Sequence, residues 1–242
     1  MSDTPPLAAA LRTRRHQPTR LEGFVDAAFA FSVSILVISV GHVPTSVPDM
    51  LHALRGMPAF ALSFLLIVRI WLAHRDWSRH YDLDDAGAVR LSLVLVFLVL
   101  IFVYPLRFIF SLLLAWLSNN YLVDQPLELH SIDEYRMAFE VYGVGFAAIA
   151  AVFALMYRQA LAQAERIGLD AAERAATRMQ LAVWCAIGAV ALASAASAAL
   201  LPLDERNNWL FGVPGSLYGL IGVIAPWLRR RHQRAFAAQA AA

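Results

Sequence analysis

The sequence predicts an all-α polytopic membrane protein with six transmembrane helices and both termini in the cytoplasm. Three observations predict it. Of the 242 residues, 60% are hydrophobic and only 16% charged, with a mean hydropathy of +0.57; a soluble domain carries about 25% charged and about 45–50% apolar residues. Six apolar segments approach or exceed the ~20 residues that a helix needs to cross a bilayer. The arginines between those segments alternate in density from one loop to the next.

The first span covers residues 22–42, between Pro18-Thr19 and the prolines at 44 and 48. The second, 57–75, is interrupted only by Arg69. The third, 88–117, is long enough to tilt or to project from the membrane, and Pro105 inside it removes a helical hydrogen bond and favours a kink. The fourth runs over 135–158. The fifth, 177–200, is rich in Ala and Ser from Ala189 to Ala199, a composition that lets helices approach closely. The sixth, 212–229, starts after Pro214-Gly215 and stops at Arg229-Arg230-Arg231; it is the shortest and weakest of the six.

All twenty basic residues are arginine. Fifteen fall in the N-terminal segment, the second loop (74–90), the fourth loop (158–178) and the C-terminal segment; the first, third and fifth loops hold Arg55, Arg136 and Arg206. Positive residues stay on the cytoplasmic side, which orients the chain and agrees with six spans. The expected organisation is a cytoplasmic segment 1–19, a six-helix membrane domain 20–231 and a cytoplasmic Ala-rich tail 232–242, in the cell (inner) membrane. The first twenty residues are polar and Arg-rich, without a short apolar h-region, so no cleavable signal peptide is expected. Cys185 is the single cysteine and has no intramolecular partner.

Enzyme chemistry has no visible constellation. There is no phosphate-binding Gly loop, nucleophile elbow or Cys-His zinc spacing. His74 and His80 are six apart rather than the three or four of a helical metal pair, and His42 and His52 fall in an outer loop. The arginines at 229–234 read as a topology signal against lipid headgroups rather than a nucleic-acid site. No cofactor is expected.

Charges inside the spans are the stronger signal, because a charge at a helix centre costs about 2.5–3.5 kcal/mol on insertion scales. Asp26 and Arg69 fall at similar depth, so they either pair or Arg69 snorkels to the interface. Arg107 lies seventeen residues past Arg90, about 25 Å along the helix, and is expected to pair with Glu140. On the first span, residues 31, 34, 35 and 38 share one largely apolar face with Ser34 in its middle, next to a face marked by Ser32 and Ser39. That face suits helix packing or, alternatively, a pore wall with a hydrophobic constriction.

Arg20-x-x-x-Phe24-x-Asp26 at the cytoplasmic start of the first span resembles the signature of the TMEM175 potassium channels, Arg-x-x-x-Phe-Ser-Asp. Trp71-Leu-Ala-His74 is similar to that family's aromatic-x-x-His pattern in the second helix, and Pro105 also fits. The resemblance implies a homotetrameric, potassium-permeable cation channel whose pore is lined by the first helix and closed at an apolar constriction. Phe31 then matches the constriction, Ser34 a hydroxyl linked to potassium preference, and Ile38 the next turn outward. Arg20, Phe24 and Asp26 anchor the first helix, with Trp71 and His74 as partners. Val25 replaces the motif serine, and Phe31 is bulkier than the usual aliphatic. The expected partners are further copies of the chain, the lipid bilayer and monovalent cations, K+ above all. The alternative is a secondary transporter or membrane scaffold that uses the charges of Asp26 and Arg69.

Overall fold

The computed structural model describes residues 7–39, 44–124, 131–202 and 210–240. Among them there is no strand. A 3-10 turn at Leu7–Ala9 opens an N-terminal segment, followed by α1 (Arg20–Ile38), the short α2 (Val47–Arg55), α3 (Met57–Tyr81), α4 (Ala86–Ser118), α5 (Ile132–Ala162) and α6 (Ala171–Leu200). The chain closes with α7 (Val213–Ser216), a 3-10 turn over Leu217–Leu220, and α8 (Ile221–Ala240). Among the described residues, six helical stretches are long and apolar enough to cross a membrane: α1, α3, α4, α5, α6 and the run Leu210–Ala238.

Side-chain caps set most helix starts. Thr19 accepts from the Glu22 amide while Glu22 reaches back to the Thr19 amide, and Asp170 with Glu173 repeats that box at α6. Ser46, Asp85 and Ser131 cap α2, α4 and α5. At its other end α3 stops on Asp82, which takes the left-handed conformation at φ 50° that Asp tolerates better than most residues.

Several helices outrun the spans expected from hydropathy. α3 continues to Tyr81 rather than residue 75, because Trp77, Ser78 and Tyr81 are buried in the protein, Ser78 against Arg15 and Tyr81 against Tyr157 and Thr177, and need no lipid. α6 starts at Ala171 rather than 177 for the same reason, with Glu173, Ala176 and Thr177 buried. The sixth crossing is broken into α7, a 3-10 turn and α8, where Pro214, Gly215 and Gly219 interrupt a regular ladder. α4 stays one helix through Pro105.

The core centres on α5, which packs against α6 along its length and against α4 on its other side. Phe153 stacks on Trp184 of α6 with centroids 4.1 Å apart, and Phe102 of α4 stacks on Tyr142 and Phe146. Gly143 lets α5 and α6 touch: a Cβ there would sit 2.7 Å from the Ala191 carbonyl oxygen and 2.8 Å from Ala195 Cβ. α1 and α3 pack on α4's remaining face. The segment at Leu7 meets α8 at one end of the bundle, where the Leu7 amide donates to Gln233 Oε1 at 2.6 Å.

Candidate functional site: the first helix and its clamps

α1 has two unlike faces. Val25, Phe29, Ser32 and Leu36 are buried against α3 and α4. Phe31, Ser34 and Ile38 lie on the opposite side, with Phe31 59% and Ile38 74% exposed. The 31/34/38 face is therefore not a packing face within its own chain; Ser32 marks the packed side. The Ser34 hydroxyl donates to the Ala30 carbonyl at 3.2 Å. Its one proton is used inside the helix, so its lone pairs remain available on the open side.

Trp71 Nε1 of α3 donates to Asp26 Oδ1 at 2.7 Å, and the Arg75 guanidinium lies 5.4 Å from the Trp71 ring centroid. Asp26 thus meets an indole and not Arg69, which instead lines a groove on another side of α3. His74 is buried with Nε2 3.0 Å from Ser92 Oγ, so it joins α3 to α4 rather than to α1. Phe24 is 54% exposed. Arg20 is exposed on the first turn of α1 and makes no hydrogen bond or ion pair among the described residues. Neither side chain anchors α1 within the single chain.

Two other arginines hold that end of the bundle. The amides of Arg14 and Arg15 both donate to the Arg79 carbonyl, at 2.9 and 3.1 Å. The Arg14 guanidinium grips both carboxylate oxygens of Glu173, at 2.9 and 2.8 Å, and the carbonyls of His80, Ile167 and Gly168. The hydrogen bond to Glu173 raises the Arg14 pKa further above its already high ordinary value. Arg15 is buried and reaches Asp82 at 2.5 Å and Asp84 at 2.7 Å. Leu7 completes this strap in a small cluster with Ala176 and Met179, against which Phe236 packs. Sequence reasoning treated 1–19 as a plain flank. The available signal was the Arg14-Arg15 pair together with acids at 82, 84 and 173.

At the far end, Arg107 donates to Ser39 Oγ at 2.9 Å and to Asp124 Oδ2 at 2.7 Å, tying the C-terminal cap of α1 to α4 and the chain after it. The expected partner, Glu140, makes no ion pair with a described basic group. The helix period explains why: Phe102 faces α5, and five residues later Arg107 is rotated by about 140° away from it. Asp124 also packs on Gly56, where a Cβ would lie 2.7 Å from Asp124 Cγ. No cluster of three His, Cys, Asp or Glu fit to hold a metal occurs among the described residues.

A family model described as the endosomal/lysosomal potassium channel TMEM175 matches residues 20–105, which hold α1, α2, α3 and the first part of α4. A "Potassium channel" of Marivirga tractuosa is 32% identical over 168 residues; the match covers 66% of this chain and 66% of that relative. The crystal structure of a variant of the potassium channel MtTMEM175, in complex with a nanobody–MBP fusion protein, superposes with a TM-score of 0.78. It is 27% identical, over 93% of this chain and 97% of that one. The family and these relatives are potassium channels, not enzymes. Its motif at the mouth of α1, its six apolar crossings and these matches agree: the chain belongs to the TMEM175 family of potassium channels.

Proposed function

We propose that the protein is a potassium-permeable cation channel made of four copies, with α1 of each lining a central pore. The observation that carries this reading is the stripe of Phe31, Ser34 and Ile38, which the chain's own helices leave uncovered. One α1 per chain cannot enclose an ion path, and identical subunits close most readily in cyclic symmetry. Phe31 lies eleven residues into α1, about 17 Å along the helix, near mid-membrane. Four such rings form an apolar constriction that stops ions by excluding water. Ser34, one turn further out, offers acceptor oxygens to a dehydrating K+ ion, and Ile38 lines the turn beyond.

Arg20, Phe24 and Asp26 act at the pore's inner mouth. Asp26 holds α1 through Trp71 and not as an ion ligand, while exposed Arg20 and Phe24 meet neighbouring subunits. His74 stiffens the α3–α4 pair behind that clamp. Residues 20–231 form the conducting unit in the cell (inner) membrane, with 1–19 and 232–242 on the cytoplasmic side, a placement that the arginine distribution supports. The alternative, a secondary transporter or membrane scaffold that uses the charges of Asp26 and Arg69, has less support, because the two face different surroundings and form no common site.

Liposome flux tests the reading. Phe31→Ala should raise K+ flux, and Ser34→Ala should reduce K+ preference over Na+. Unchanged flux and preference in both variants, each shown to be folded and assembled as the wild type, would rule out α1 as the pore wall.

A further inference from the structure

On the side of α3 away from Asp26, a cavity of about 1020 Å³ opens between α3 and α4 on one side and α5, α6 and α8 on the other. Its lining runs along the helices from one end of the bundle toward the other. Asn119 and Asn120, at the far end of α4, line one extreme; Arg69, Gln180 and Arg229 line the part nearer the chain termini. The wall between is apolar and aromatic, with Phe139, Phe146 and Trp184 among the lining residues. Drug-sized pockets run to about 300–1,000 Å³, so this space exceeds what a headgroup or small anion fills and suits an acyl chain.

Its charge is one-sided. Arg69 and Arg229 line the cavity, and no Asp or Glu does. Neither arginine makes a hydrogen bond or ion pair among the described residues. The contrast with their neighbours is plain: Arg75 is engaged by Asp76 and Trp71, and Arg231 lies over the Trp227 ring at 5.5 Å. Arg69 is the costly one. It lies six residues before Arg75, about 9 Å deeper along α3, where an unpaired guanidinium is disfavoured. A phosphate drawn from the adjoining leaflet supplies the missing charge, and Arg is suited to hold it through paired N–H donors.

We propose that this cavity is a binding site for an anionic phospholipid, phosphatidylglycerol-like in chemistry, from the leaflet on the side of the chain termini. Its phosphate sits between Arg69 and Arg229 with Gln180 as a further donor, and one acyl chain runs up the aromatic wall toward Asn119. The occupant bridges α3 to α8, so it fastens the loosely packed sixth crossing to the half of the bundle that carries α1. Such pairing of interhelical arginines with a lipid phosphate is the expected physics of a basic pocket between helices at a membrane interface.

Native mass spectrometry of the full-length assembly in detergent tests it, with phosphatidylglycerol and phosphatidylcholine of identical chains as probes and glycerol 3-phosphate as competitor. The wild type should retain phosphatidylglycerol over phosphatidylcholine by roughly thirtyfold, about fivefold for each arginine. Arg69→Gln with Arg229→Gln should abolish that preference, and the paired Lys substitutions should keep most of it and show that folding is intact. Gly222 lines the cavity and has open space at its Cβ position, so Gly222→Phe should block the groove and lower retention of both lipids. Equal retention of the two lipids, a preference that survives both Gln substitutions, or full displacement by glycerol 3-phosphate would each overturn the proposal. Absence of any bound lipid on the wild type would also overturn it and would point to a neighbouring subunit as the cover.

Discussion

Trp71 and Asp26 join α3 to α1 by one hydrogen bond of 2.7 Å, on the same α1 whose other side carries Phe31 and Ser34. The acid is exposed in the single chain, so water competes and the bond contributes about 1 kcal/mol. Trp71→Phe keeps the ring and removes the donor. It should lower the unfolding free energy by about that amount and alter K+ flux, because α1 loses its tether. Asp26→Asn retains an acceptor oxygen and should cost less. Equal stability and flux in wild type and Trp71→Phe would show that the tether is idle.

Arg107 links Ser39 and Asp124 at the opposite end. Both charges of the pair are mostly shielded, so deleting one strands the other. Arg107→Leu should destabilise by about 3 kcal/mol, and Arg107→Leu with Asp124→Asn by less than the sum of the two single changes. A double-mutant cycle on thermal unfolding measures the coupling; strict additivity would contradict a direct pair.

The strap makes a sharper forecast, since Glu173 is only 1% exposed and Arg14 covers it. Arg14→Gln should cost about 3 kcal/mol and speed proteolysis of residues 7–19. It should also speed hydrogen exchange at the Arg79 carbonyl's two partners, the amides of Arg14 and Arg15. An unchanged cleavage rate would mean that the amide bonds and Leu7 hold the segment alone.

Gly143 forecasts a packing failure. Any Cβ there meets the Ala191 carbonyl at 2.7 Å, a backbone atom that cannot rotate away. Gly143→Ala should destabilise by about 1–3 kcal/mol through overpacking, and Gly143→Leu should block assembly of α5 on α6. Wild-type thermal stability in the Ala variant would show that the two helices have room to separate.

Fold class and span number were legible because lipid leaves few choices: apolar runs of sufficient length must become helices, and each hides its own backbone hydrogen bonds. That residues 31, 34 and 38 share one face of α1 was legible from helical spacing, but spacing left open whether that face packs within the chain or stays uncovered. Partners were harder. Asp26 and Arg69 share a depth, but depth says nothing about azimuth, and the indole at 71 reached the acid first. Arg107 was matched to Glu140 by height alone, whereas rotation along α4 turns it toward Ser39 and the chain leading to Asp124. The last turns of α3 and the first turn of α6 lay outside hydropathy's reach, because there they are buried by protein, facing helices for Tyr81 and the strap for Glu173, and not by lipid. That strap joins residues 7–15 to positions as distant as 233, a contact no local pattern reports.

Synthesis runs from the first residue to the last, and the Leu7–Gln233 contact joins near-opposite ends of that order. The Leu7 amide therefore finds its acceptor only after α8 has been threaded. Once α6 emerges, Arg14 has Glu173 to grip and Leu7 has Ala176 and Met179 to pack on, while the Leu7 amide meets Gln233 only after α8. The strap thus closes in two stages: a chain truncated before Gln233 keeps the Arg14–Glu173 grip but lacks the Leu7–Gln233 bond.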